Sequence, residues 1–262
     1  MSHDNELEDD TIEIELRPQE EVAARLVILA AVIRRSALEL PLDDEDDEDD
    51  DEYDDQADSP EGEQFDLVAA LITEPLSRYV TRSELQLVKS PIGSRGEGTA
   101  LETFWQIEAL AALTAVVAAG YTLLDPWTQV ETGPLLSSIP EPWDEFGSFA
   151  RSVELINEES IALERERAEL WLWRCAIDDE LREATGREKQ ELLEIVRETV
   201  KEAVEAEILV AGRDDFQVSG RDFAKADVET KAVLTEISTQ RLKALNWVCG
   251  FGDSWDSVPL DI

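Results

Sequence analysis

The sequence predicts a mainly α-helical protein, an irregular multi-helix bundle preceded by a short N-terminal β-strand. Three observations carry that reading. Apolar residues recur at mixed three- and four-residue intervals, as in Val228, Val233, Leu234, Ile237, Leu242, Leu245 and Val248, which is the spacing of one helix face. Glycines stand just beyond such stretches at Gly186, Gly212 and Gly250, where a left-handed residue ends a helix. The strand signal is the alternation Ile12, Ile14, Leu16 within Thr11–Leu16.

The elements follow in chain order. Residues 1–18 form a polar N-terminus carrying the strand, and Pro18 opens a first helix (19–42) that runs to about Leu40 with Val22, Leu26, Leu29 and Ile33 on one face. Residues 43–64 are a run of like charges that repels itself and buries too little to order, and we read them as a disordered, solvated insert. The main helical domain spans 65–262. Within it, Phe65–Val88 holds one or two short helices with Thr81-x-x-Glu84 as a capping box, and the glycine-rich segment after it is loop. Thr99-x-x-Glu102 caps an alanine-rich helix ending near Gly120, and Asp125–Trp143, with four prolines, is irregular. Long helices cover about Ser152–Thr185 and Arg187–Ala211, and the last spans about Asp227–Cys249 with Asp227 as its cap. The apolar tail Val258, Pro259, Leu260, Ile262 is expected to dock on the body.

Composition excludes several classes of function. The 262 residues are 43% apolar, enough for a core, and carry 62 acidic against 23 basic residues for a net charge of −39. Sixteen acids lie between Asp43 and Asp66, which leaves −23 on everything else. Such a surface repels phosphates and anionic lipid, so neither nucleic acid nor a membrane is expected as a partner. The longest apolar runs fall short of the roughly 18–20 residues that span a bilayer, and the N-terminus has neither the basic nor the apolar region of a signal peptide. Cys175 and Cys249 sit among apolar residues, as small buried hydrophobes do, and a reducing cytoplasm fits them best.

Catalytic templates are scarce. The single histidine is His3, in the polar terminus, which removes histidine acid–base chemistry and histidine metal sites from the body. No ligand set for a metal and no cofactor motif is found. Asp178-Asp179-Glu180 reads as a solvated helix face. Gly93-Ser94-Arg95-Gly96-Glu97-Gly98 lacks the GK[ST] ending of a phosphate loop and reads as a connector. The acidic run has a sharper alternative, mimicry of nucleic-acid charge or recruitment of a basic partner, but mimicry needs an ordered scaffold that the run does not itself supply.

One constellation points to a site. Glu108 lies on an apolar helix, Arg174 is embedded between Leu170-Trp171-Leu172-Trp173 and Cys175-Ala176-Ile177, and Arg241 and Asn246 bracket the apolar part of the last helix. Charges in such surroundings are rarely buried unless paired. The expectation is that Arg174 pairs with Glu108, with Arg241 or Asn246 nearby. The pair would either fix helix register, or Trp105, Trp171, Trp173 and Trp247 would wall a pocket in which the arginines meet an anionic or planar ligand.

The block Arg241-x-x-Ala244-Leu245-Asn246-Trp247-x-Cys249-Gly250-Phe251, followed by Trp255-Asp256-x-Val258-Pro259-x-Asp261, resembles the C-terminal signature of the bacterial domain of unknown function 4272 family. Trp105-x-x-Glu108-Ala109-Leu110-Ala111 and Leu170-Trp171-x-Trp173-Arg174 are similar to other segments of that family. The resemblance covers roughly Val22–Ile262 and implies no activity. Three function classes stay open. The first is a non-enzymatic binding or protein-interaction domain, of which an acidic, immunity-type neutraliser of a basic partner is a special case. The second is an enzyme using carboxylate or arginine chemistry in a tryptophan-lined pocket, and the third a structural subunit.

Overall fold

The computed structural model describes residues 14–40, 59–117, 120–210 and 214–262. They form a mainly helical bundle: α1 (Gln19–Ala37), α2 (Pro60–Leu71), α3 (Arg82–Lys89), α4 (Glu97–Phe104), α5 (Gln106–Ala115), α6 (Thr132–Ser137), α7 (Phe146–Ser152), α8 (Glu158–Glu183), α9 (Gly186–Glu205) and α10 (Val228–Val248), with a two-stranded hairpin of β1 (Gln217–Val218) and β2 (Arg221–Asp222).

α1 is the axis of the larger core. Every residue from Val22 to Ile33 is buried, so the helix is enclosed on all sides instead of presenting one apolar face. α5, α4 and α7 pack around it, with α2 and α3 beyond. Its arginines are neutralised internally. Arg25 bonds Glu84 and donates to the Tyr79 carbonyl at 2.9 Å, while Arg35 bonds Glu39 and the Ser90 carbonyl, both at 2.7 Å. Glu84 therefore serves twice, since its other oxygen accepts the Thr81 N–H in the expected capping box.

A second core lies between α8, the antiparallel α9, the hairpin and the first half of α10, around Trp171, Val200, Phe216, Phe223 and Leu234. α9 contributes only Val196, Val200 and Ala203 to full burial and leaves its charged face to solvent. α10 joins the two cores through extensive packing on both α8 and α5.

Several sequence expectations are corrected. Ile14–Leu16 is extended but pairs with the end of α10, not with a strand: Glu15 N–H donates to the Cys249 carbonyl at 3.3 Å and Arg17 N–H to that of Val248 at 3.0 Å. The rest of the strand reading, Thr11–Glu13, lies outside the described residues. So does most of the acidic insert, yet its last residues, Pro60–Gln64, are helical: the Ser59 side chain caps the start of α2, Pro60 opens it, and Glu61 and Glu63 favour its positive end. The alanine-rich helix starts at Glu97, with Gly96 and not Thr99 in the cap position, breaks at Trp105, and stops at Ala115. The proline-rich segment contains α6, and α8 starts at Glu158 behind an Asn157 cap, later than read, because α7 takes the residues up to Ser152. α9 ends at Glu205, short of Ala211.

The hairpin was not expected, although it has a clear local cause. Ser219 and Gly220 both adopt positive φ, 48° and 77°, which is the two-residue turn that matches strand twist. α10 and its surroundings follow the sequence reading closely. Asp227 caps the helix by accepting the Thr230 N–H at 2.7 Å, and Gly250 (φ +87°) ends it. A Cβ at Gly250 would lie 2.5 Å from the Glu15 carbonyl oxygen, so this glycine also permits the N-terminal segment to approach. The tail docks in part: Val258 and Leu260 pack against the first core and the Asn246 side chain donates to the Pro259 carbonyl at 2.8 Å, while the Pro259 and Ile262 side chains are exposed.

Candidate functional site

Arg174 does not meet Glu108. Its Nε and Nη2 donate to the two carboxylate oxygens of Asp215 at 2.7 and 3.1 Å, and its guanidinium lies 4.1 Å from the centre of the Phe223 ring. Asp215 also accepts the N–H groups of Phe216 and Ala224, each at 2.8 Å, so the pair clamps both ends of the hairpin onto α8. The expected pairing fails because Arg174 lies in the second core, whereas Glu108 lies on α5 in the first.

Glu108 is completely buried and pairs with Arg241 from α10. Arg241 Nε and Nη2 donate to Glu108 Oε2 at 3.0 and 2.9 Å. Glu108 Oε1 accepts the Val130 N–H at 2.8 Å. The remaining donors of Arg241 reach backbone carbonyls at Leu124 (2.9 Å), Asp125 (3.4 Å) and Thr128 (3.2 Å). The pair thus fixes the irregular segment 121–130 onto α5 and α10. Both carboxylate oxygens of Glu108 are occupied.

The segment held in this way forms one wall of a cavity of about 720 Å³ between α8, α10, the residues after α9 and the start of the hairpin. Trp127 and Trp171 face each other edge-on with centroids 5.9 Å apart, and Trp171 meets Phe216 in the same manner at 5.1 Å. Tyr121, Leu163 and Ile237 add further apolar wall, and Ser238 and Arg241 lie on the α10 side. Burial, reinforced by the negative Glu108 and opposed by Arg241, pushes the Tyr121 phenol above its ordinary range and keeps it protonated. At the rim Arg167 donates to the Ile208 carbonyl at 2.8 Å and bonds Glu164, tying the segment after α9 to α8.

The four tryptophans singled out in the sequence do not share this cavity. Trp171 lines it. Trp173, one residue on, faces Phe216 at 6.3 Å from the second core. Trp105 borders a separate hollow of about 440 Å³ together with Cys175, Asp178 and Lys231. Trp247 belongs to the first core, edge-on to Trp255 at 5.8 Å and flanked by the guanidinium groups of Arg17 and Arg25 at 4.8 and 5.5 Å. Asn246 is likewise remote from the cavity lining: it accepts from Arg165 Nε at 2.7 Å and holds the tail. A periodic sequence places these residues on helices but not in one wall, since residues adjacent in a helix point about 100° apart.

Sequence reasoning missed Trp127, Phe216 and Asp215. Trp127 was hidden in a segment read as irregular. Phe216 could have been found from the alternation Phe216, Val218 ahead of the Ser219-Gly220 turn. Nothing marks Asp215 among 62 acidic residues.

Both cysteines are free and buried, and burial pushes each thiol up to about 11, so neither is a thiolate nucleophile near neutral pH. Among the described residues no helix is long and apolar enough to cross a membrane, and no group of three or more acidic, histidine or cysteine side chains is placed to hold a metal ion. Comparison with family models, with curated proteins and with solved structures found no match, so the family resemblance rests on the quoted motifs.

Proposed function

We propose that this protein is a non-enzymatic, cytoplasmic binding protein whose ligand is a small, predominantly apolar molecule carrying a ring. The observation that carries the reading is the aromatic cavity of about 720 Å³ walled by Trp127, Trp171 and Phe216. That volume lies within the roughly 300–1,000 Å³ of small-molecule sites, which are mostly apolar with a few placed polar groups. Edge-on indoles present faces and edges to a flat guest, and such contacts add to simple area burial. An anionic ligand is disfavoured, because both arginines of the lining are paired, Arg241 with Glu108 and three carbonyls and Arg167 with Glu164 and the Ile208 carbonyl, and the sequence is strongly acidic. The two buried free thiols support the cytoplasmic part of the reading.

Titration with the neutral fluorophore N-phenyl-1-naphthylamine tests it. The expected result is saturable one-to-one binding with enhanced emission, weakened about tenfold or more in Trp127→Ala, whose side chain is only half-buried, with circular dichroism checking that the variant is folded. No saturable binding, or equal binding by the variant, would overturn the proposal.

A further inference from the structure

The aromatic wall of the cavity carries unused hydrogen-bond donors. Trp171 is 4% exposed, and it borders the cavity. Its indole N–H meets no acceptor among the described residues, yet it keeps accessible surface, unlike the N–H of Trp255, which is unpartnered and sealed. With α8 behind the ring and Trp127 and Phe216 packed edge-on to it, that surface opens on the cavity side. A buried tryptophan N–H normally finds a partner. Two neighbours repeat the pattern: Trp127 and Tyr121 line the same cavity, and neither the indole N–H nor the phenol makes a hydrogen bond among the described residues. An indole N–H only donates, and the Tyr121 phenol, kept protonated by burial, has a proton to donate as well. The charged donors of the lining are in use, Arg167 on Glu164 and Arg241 on Glu108.

We infer that the Trp171 indole N–H is the polar anchor of the site, and that the ligand is a flat, neutral ring molecule with a carbonyl oxygen that accepts from it. The inference rests on the binding reading above and narrows its ligand class. The ring system fills the apolar lining, and the oxygen turns to Trp171. A ring without an acceptor leaves this N–H unpaired, whereas a carbonyl satisfies it and keeps a second lone pair for another donor of the wall. A carboxylate is not matched, because both cations of the lining are already paired and a buried charge without a partner is strongly disfavoured.

Fluorene and 9-fluorenone share one flat three-ring frame and differ by a carbonyl in place of a methylene, so the pair isolates this bond. Equilibrium dialysis compares them on wild type and on Trp171→Phe, which keeps an aromatic ring and loses the N–H. The expected result is that wild type holds 9-fluorenone about three- to tenfold tighter than fluorene, the difference one hydrogen bond makes. In Trp171→Phe that advantage disappears while fluorene still binds. A second measurement needs only wild type and so does not depend on the variant folding: in proton–nitrogen correlation spectra the Trp171 indole proton moves further downfield with 9-fluorenone than with fluorene. Fluorenone held no tighter than fluorene, an advantage that survives in Trp171→Phe, or a Trp171 proton that responds alike to both probes would overturn the anchor while leaving the cavity a binding site. Binding of neither probe would overturn the anchor and the binding reading together.

Discussion

Two buried arginine–carboxylate pairs, Arg241–Glu108 and Arg174–Asp215, do different work in this protein. Arg241–Glu108 stands in the first core and spends its spare donors on the backbone of 121–130, which becomes a cavity wall. Arg174–Asp215 stands in the second core and fastens the hairpin that carries Phe216 to the opposite side of the same cavity. Arg241 has its three nitrogens bonded to Glu108 and backbone carbonyls, while Arg174 keeps Nη1 without a hydrogen bond, 3.7 Å from Asp178 Oδ1, and each arginine positions an irregular segment that the helices alone would not hold. A charged residue in an apolar stretch therefore marks a scaffold joint here, and the site is the space that the two joints enclose.

The pairs differ in what remains when the arginine is removed, which makes the comparison breakable. Without Arg241, Glu108 keeps only the Val130 N–H and is fully buried. Arg241→Met is expected to lower unfolding free energy by about 3–5 kcal/mol. Without Arg174, Asp215 keeps two backbone N–H donors and a trace of exposure, so Arg174→Met is expected to cost less, about 2–3 kcal/mol. Urea unfolding of both variants measures this, and an Arg174→Met loss equal to or larger than that of Arg241→Met would contradict the distinction.

A smaller effect sharpens the same comparison on the α8 side. Burial alone would raise the Asp178 pKa, but hydrogen bonds from Lys231 and Arg182, with Lys231 and Arg174 as nearby charges, hold it below its ordinary range. A depressed carboxylate contributes stability that is present above its unfolded pKa, about 3.9, and is lost as pH falls through the folded value. Stability should therefore decline in acid below about pH 4, and Asp178→Asn should flatten that part of the profile. An unchanged acid limb in Asp178→Asn would remove Asp178 from the account.

The helical content was legible because it rests on local rules. Asp227, the Thr81/Glu84 capping box and Gly250 each act within a few residues of themselves, and each is found in the expected role. Glu108 and Arg174 were legible as charges that must be paired, since burial forces that conclusion without a fold. Their partners were not legible: Arg241 lies 133 residues from Glu108 and Asp215 lies 41 from Arg174, and only the packing of α10 on α5 and the hairpin on α8 brings them together. The cavity was the least legible part. Trp127 and Phe216 belong to segments with little periodicity, and a void is a property of what fails to touch.

The most direct test follows the tryptophan side chains themselves. The protein has seven tryptophans, and their indole N–H signals can be followed by proton–nitrogen correlation spectroscopy during titration with N-phenyl-1-naphthylamine. The account predicts that the Trp127 and Trp171 signals move with the ligand while those of Trp105, Trp247 and Trp255 stay in place. Movement centred on Trp247 and Trp255, or no movement at Trp127 and Trp171 as the ligand saturates, would contradict it.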